Sequence, residues 1–91
     1  DNAIEEYAAR YGLEKELILA VIKQESKYEA RALSWANARG LMQLIPSTAK
    51  DMARLAHIRL NSNSQLYDPE LNIHLGSLYL KQLARRFNGR K

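Results

Sequence analysis

Among the ten acidic side chains of this 91-residue sequence, Glu25 is the one whose position invites chemistry. In "VIKQESKY", residues 21–28, it follows the apolar face of a helical stretch. At about 100° per residue it lies roughly 20° from Ile18 and roughly 40° from Val21 on a helical wheel. Glu16, Lys23 and Lys27 point elsewhere. A carboxyl group continuing an apolar stripe is expected in surroundings that disfavour its charge, which raises its pKa. A carboxylic acid still protonated near neutral pH is a general acid for bond cleavage. The bland alternative is a glutamate in a last helical turn that bends out to water or accepts hydrogen bonds from the following loop. The wheel does not separate the two. Other reactive chemistries have little support. The sequence holds no cysteine, so disulfides and thiol chemistry are excluded. His57 and His74 have no clustered metal-type neighbours, and neither a metal site nor a bound cofactor is expected.

Four helical stretches have to position Glu25, and no alternating strand-like run of useful length occurs. The first covers about residues 2–11, capped by Asp1 or Asn2, with Ile4, Tyr7, Ala8 and Tyr11 as its stripe and Gly12 as its stop. The second runs from about Glu14 to Lys27 with Leu17, Ile18, Val21 and Ile22 facing inward. Residues 28–45 are less regular. A third helix is expected from Pro46, a favoured first-turn residue, to about Ala56. "RLNSNSQLYDP" reads as a polar loop in which Asp68 and Pro69 form a cap and first turn. The last helix spans about 69–87, with Leu71, Leu75, Leu78, Leu83 and Phe87 along one side. Gly76 interrupts it at a cost of about 1 kcal/mol relative to alanine, which suggests a crowded neighbour.

The length fits one small domain. Hydrophobic residues make up 46% and charged residues 26%, ordinary for a globular protein, and no apolar run approaches the roughly 20 residues of a membrane span. "DNAIEEYAARYG" is acidic and periodic rather than a signal peptide, so an export signal is expected outside this chain. The net charge of +4 is concentrated at the end, where "KQLARRFNGRK" holds Lys81, Arg85, Arg86, Arg90 and Lys91 and no acid. Such a run suits a polyanion such as nucleic acid, anionic lipid or a wall polymer. The favoured reading is a solvated helix end whose cations complement the helix dipole.

Downstream of Glu25 lies "ESKYEARALSWANARGLMQLIPSTA", residues 25–49. It contains Glu25-Ser26, then Ala32-Leu33-Ser34, Gly40-Leu41-Met42-Gln43-Leu44 and Pro46-Ser47-Thr48-Ala49. Further on, Asp68-Pro69, Asn72-Ile73, Gly76 and Tyr79-Leu80 fall within "LYDPELNIHLGSLYLKQL". In order and spacing these elements closely resemble the lytic transglycosylases of goose-type lysozyme-like fold, most nearly the soluble periplasmic type. The resemblance covers about residues 4–87.

The resemblance implies an all-α, lysozyme-like helical domain. It implies cleavage of the β-1,4 bond between N-acetylmuramic acid and N-acetylglucosamine in peptidoglycan, without water. Glu25 would protonate the glycosidic oxygen and, as a carboxylate, take a proton from the muramic C6 hydroxyl, which closes on C1 as a 1,6-anhydro end. Glycosidases in general use two carboxylates, but Glu29, Asp51 and Asp68 match no catalytic position of the family. An internal nucleophile removes the need for a second. Ser34 and Gln43 match positions lining the sugar groove; read by spacing alone they are a loop hydrogen bond and a solvent-facing amide. Met42 and Ile45 are candidates for apolar parts of the cleft and equally for the core. Gly40 is read as a tight-turn residue. Trp35 stands where the family is less particular, and sugar stacking and a merely packed or exposed indole both stay open.

The family's next motif, Ala-Tyr-Asn-Ala-Gly, follows the helix that here ends near Phe87, and the sequence closes at "FNGRK" without it. None of Tyr7, Tyr11, Tyr28, Tyr67 or Tyr79 occupies that motif. The expectation is therefore the N-terminal part of a single catalytic domain over residues 1–91. Its uncovered apolar surface would favour self-association. Peptidoglycan glycan strands are the expected partner and the periplasm or cell envelope the expected location. Nucleic acid is not expected, because only the basic end supports it. A glycan-binding module of low turnover and a lysozyme-type hydrolase on the same fold are the alternatives.

Overall fold

The computed structural model describes residues 2–88, with side chains through Phe87. Asp1, and Arg90 and Lys91 of the basic end, lie outside the described residues. Four α-helices follow one another: α1 (Asn2–Tyr11), α2 (Lys15–Ser26), α3 (Pro46–Leu55) and α4 (Pro69–Asn88). Their bounds agree with the periodicity to within one residue at each end. Among the described residues there is no strand; the only extended pairings are two isolated antiparallel bridges, Leu33 with Arg39 and Arg39 with Leu44. The expected polar loop contains a 3₁₀ helix, Asn63–Tyr67, whose Ser62 and Gln65 cap it reciprocally and whose Leu66 is fully buried. Leu66 and Tyr67 at the end of a polar run are too weak a periodic signal to announce such a turn.

Helix α4 is the axis of the fold. It begins at Asp68, whose Oδ2 accepts the Leu71 N–H at 3.0 Å and whose carbonyl accepts the Asn72 N–H at 2.9 Å. Pro69 sits in the first turn, where its missing N–H costs nothing. Residues 72–78 are buried without interruption, so this stretch is enclosed on all sides as a core helix is. Ile73 enters one apolar cluster with Ile4, Tyr7, Ile18, Ile22 and Met42. Leu75 and Leu78 enter a second with Leu44, Ala49, Met52 and Leu66. Burial of each large aliphatic side chain contributes about 1.5–3 kcal/mol.

Two stripe residues depart from expectation. Leu17 is 44% exposed and Phe87 75% exposed. In α2 the buried edge is Ile18 and Ile22, and Leu17 lies at its margin. Phe87 is on the last turn of α4, well past the enclosed stretch.

Gly76 meets the crowded neighbour its position implied. A Cβ there would collide with Met42 Sδ and lie 2.9 Å from Met42 Cβ. The adjacent Ser77 is fully buried, and its hydroxyl finds no hydrogen-bond partner among the described residues. Helix propensity favours alanine at both positions, yet the surroundings divide them. Gly76→Ala is expected to destabilise by about 1–3 kcal/mol through overpacking against Met42, and Met42→Ala in that background to relieve part of the loss. Ser77→Ala is expected to be neutral or stabilising by about 1 kcal/mol, since it removes an unpaired buried hydroxyl. Urea denaturation of the three variants checks both signs.

Between α1 and α4 the Tyr7 ring stacks on His74, with centroids 4.2 Å apart and planes 14° from parallel. The Tyr11 hydroxyl and His74 Nε2 share a hydrogen bond of 2.7 Å. Burial, helped by the Arg10 charge, holds the His74 pKa below its ordinary 6.5, against the weaker opposing pull of Glu6 and Glu70. Above pH 6.5 His74 is neutral folded and unfolded, and its contribution is fully present. Between 6.5 and the lower folded value only the unfolded chain takes the proton, so stability falls as pH falls. The midpoint of denaturation is expected to drop between pH 7.5 and about 5, and His74→Phe, which keeps the stacked ring, to flatten that slope.

Candidate active site

Glu25 lies one residue before the end of α2, and the chain turns away abruptly behind it. Ser26 is buried and bonds back to the Ile22 carbonyl at 3.0 Å. Lys27 (φ 54°) and Tyr28 (φ 66°) are then both left-handed, a conformation uncommon for residues other than glycine. The Lys27 N–H closes the helix on the Lys23 carbonyl at 3.1 Å. This reversal leaves the Glu25 side chain between two hollows. One, of about 310 Å³, is walled by Val21 from α2, by Tyr79, Leu80 and Leu83 from α4, and by Ile45 and Thr48. The other, of about 300 Å³, runs over Ala32, Leu33 and Ser34. Glu25 and Gln43 line both, so the pair stands at the junction of the two hollows, which together form the candidate cleft.

Glu25 is exposed, which corrects the expectation that it continues the buried stripe. The wheel gives an angle and omits height along the axis. Glu25 stands seven residues, about 10 Å, beyond Ile18, where the same face no longer meets α1 but opens on the cleft.

The opposite lip is the turn 39–44. Arg39 and Leu44 exchange both backbone hydrogen bonds, at 2.9 and 3.0 Å, and the Gln43 N–H reaches the Gly40 carbonyl at 3.1 Å. Gly40 takes φ +83° and Gln43 φ 54° to close it. Asn72, fully buried in α4, holds this turn against the core. Its Oδ1 accepts the Met42 N–H at 2.7 Å, and its Nδ2 donates to the carbonyls of Arg39 at 3.0 Å and Leu66 at 2.8 Å. A Cβ on Gly40 would run into the Asn72 amide and the Leu66 carbonyl. Gly40 is thus both the turn residue expected and the gap through which Asn72 reaches the turn.

The residues singled out in the sequence gather here in different capacities. Met42 is buried in the first apolar cluster and also forms part of the cleft floor. Ile45 is 41% exposed on the cleft wall rather than in the core. The Ser34 side chain lines the second hollow, but its hydroxyl accepts the N–H groups of Ala36 and Ala38, each at 3.2 Å. Gln43 is not a loosely solvated amide: its Nε2 donates to the carbonyls of Ala32 at 3.2 Å and Gly40 at 2.9 Å. That tie leaves Oε1 to meet a donor in the cleft. Among the described residues no group of three or more His, Cys, Asp or Glu side chains is disposed to hold a metal.

Sequence reading did not assign Tyr79, Leu80 and Leu83 to the cleft. The signal was available in their spacing. With Gly76 they fall at i, i+3, i+4 and i+7, one helical face, and Gly76 is itself on the cleft lining.

Comparison with known proteins shows the family and the fold. The family model described as "Transglycosylase SLT domain" matches residues 2–91. The membrane-bound lytic murein transglycosylase C of Yersinia pestis (strain Pestoides F) is 44% identical over 84 residues, covering 90% of this chain and 24% of that protein. The chain therefore spans about a quarter of the length of the curated relatives it matches. Among solved structures, an inactive mutant of the lytic transglycosylase Slt of Pseudomonas aeruginosa superposes with a TM-score of 0.91 at 41% identity, over 97% of this chain and 14% of that one. The 70 kDa soluble lytic transglycosylase of Escherichia coli gives 0.89 at 31% identity, over 94% and 14%. A complex of a 70-kDa soluble lytic transglycosylase with bulgecin A superposes equally, with a TM-score of 0.89 at 31% identity.

Asn72 supplies a direct test of how the cleft lip is held. Asn72→Ala takes the partner from the Met42 N–H and the Leu66 carbonyl and leaves the Arg39 carbonyl with the Leu44 N–H alone; it is expected to cost about 2–4 kcal/mol, with faster hydrogen exchange at the Met42 amide. Asn72→Asp keeps the shape but turns a carboxylate oxygen toward two carbonyls. Its deficit is expected to be at least as large at neutral pH and to shrink in acid, where the protonated group regains one donor.

Proposed function

The chain belongs to the transglycosylase SLT domain family, and from that premise we propose that it cleaves peptidoglycan glycan strands with Glu25 as the acid and then the base. The carrying observation is the place of Glu25 at the junction of the two hollows, where it is, among the described residues, the sole carboxylate lining the first. A glycan strand laid along the cleft would bring one glycosidic oxygen to that junction. Glu25 would give its proton to this oxygen as the bond to C1 breaks. The resulting carboxylate would take the proton of the muramic C6 hydroxyl, whose oxygen closes on C1, leaving a 1,6-anhydromuramic end and a free N-acetylglucosamine hydroxyl. Met42 and Ile45 offer apolar surface to the sugar rings, and Gln43 Oε1 an acceptor for a hydroxyl or amide N–H. Ser34 shapes the groove through the loop its hydroxyl holds. The substrate places this work in the cell envelope.

The exposure of Glu25 favours one other reading. In the free protein water reaches the side chain that would have to act on the bond, and nothing among the described residues covers it. A glycan-binding module of low turnover would keep the same cleft and the same contacts.

Mass spectrometry of products from purified peptidoglycan separates these readings. Anhydromuropeptides are expected from the chain, reduced about 10²- to 10⁴-fold by Glu25→Gln. Reducing ends would instead identify a hydrolase using water. Retention on peptidoglycan without new ends would identify the binding module.

A further inference from the structure

Trp35 is the sole tryptophan of the chain and is 98% exposed. An indole left in water forgoes the burial that ordinarily makes a large aromatic side chain worth carrying. The loop beneath it is nevertheless firmly built. The Asn37 N–H bonds to the Ser34 carbonyl and the Ser34 N–H to the Ala38 carbonyl, both at 3.0 Å. The Ser34 hydroxyl adds the N–H groups of Ala36 and Ala38. Trp35 is the second residue of this turn, so its backbone is fixed while its ring is free, the condition of a pre-organised contact. Both residues preceding it, Leu33 and Ser34, line the hollow that begins at Glu25. Leu33 before it is 56% exposed, but beyond it the exposed Ala36 and Asn37 add no further large apolar side chain of the kind that builds the patch a protein partner or a bilayer would cover. A flat indole face beside the exposed Leu33, with Ser34 and Asn37 as polar neighbours and at the end of a groove, matches the C–H face of a pyranose ring whose hydroxyls reach the surrounding loop.

We propose that Trp35 is a sugar-stacking platform that prolongs the cleft beyond Ser34 and makes binding depend on glycan length. This rests on the reading that the cleft takes a glycan. Because Trp35 is the only indole, its fluorescence reports the contact directly. The Glu25→Gln chain is titrated with β-1,4-linked N-acetylglucosamine dimer and hexamer, with calorimetry in parallel. The hexamer is expected to shift the emission to the blue and shield it from acrylamide, and the dimer to do so far less. Trp35→Ala is expected to weaken hexamer binding roughly two- to tenfold, the range of one aromatic stacking contact, with Trp35→Phe retaining most of it. Hexamer binding seen by calorimetry, with unchanged emission and an unchanged affinity in Trp35→Ala, would overturn the platform and leave the proposed function standing. Absence of oligomer binding together with absence of products from peptidoglycan would overturn both. An emission shift with phosphatidylglycerol vesicles but not with glycan would overturn the platform in favour of a membrane contact.

Discussion

The arrangement of this chain depends on one buried amide. Asn72 sits in the enclosed middle of α4 and satisfies three backbone groups at once, those of Met42, Arg39 and Leu66. A helix buried on every side has to accept loops as well as helices against it, and a loop brings polar backbone with no ladder to receive it. Among aliphatic neighbours those groups would cost more than the packing gains. One side chain with an acceptor and two donor hydrogens converts the turn 39–44 and the 3₁₀ helix into parts of the core. Gly40 and Gly76 are corollaries of that closeness, since the first makes room for the amide and the second for Met42.

The same contact divides the labour of the cleft. On the α4 side everything is over-determined: Met42 is pinned through its N–H and wedged at Gly76, and Gln43 is turned outward in a left-handed conformation with its amide nitrogen tied twice. On the α2 side the constraint is conformational. Two successive left-handed residues carry the chain out of the helix and around the Glu25 carboxyl, a backbone cost that nothing in the core requires. Strain next to Glu25 and hydrogen-bonded rigidity around Gln43 hold the two polar groups of the junction from opposite sides.

Much of this was legible in the sequence, for physical reasons that also explain what was not. The helices follow from apolar periodicity, the cap at Asp68 from a Asp-Pro pair, and the crowding at Gly76 from the cost of a glycine inside a helix. These are local relations. The burial of Glu25 was misjudged because a wheel records angle without height, and Leu17 and Phe87 because a stripe does not say where its partner helix stops. Asn72 stood in plain view within a recognisable segment, but its role depends on a residue thirty positions away in sequence. Ser34 shows the remaining limit. Its motif marks it as a groove residue, while its hydroxyl is spent on the turn that carries Trp35.

On the proposed reading, the exposure of Glu25 bears on why the chemistry would need no water. Solvent reaches this carboxyl in the free protein, so a strand lying over the junction has to exclude the water that burial excludes elsewhere. The cleft is suited to let it. Val21, Leu80 and Leu83 on one wall and Ile45 on another offer apolar surface that a sugar ring covers in displacing water, and Gln43 supplies a fixed polar point against which the ring can be oriented. Water driven from the junction by the substrate is then absent at the step where C1 needs a nucleophile. The substrate's own C6 hydroxyl, already held beside C1 at high effective concentration, takes that role. Cover by the substrate thus leads to ring closure by the same event that clears water from the Glu25 carboxyl.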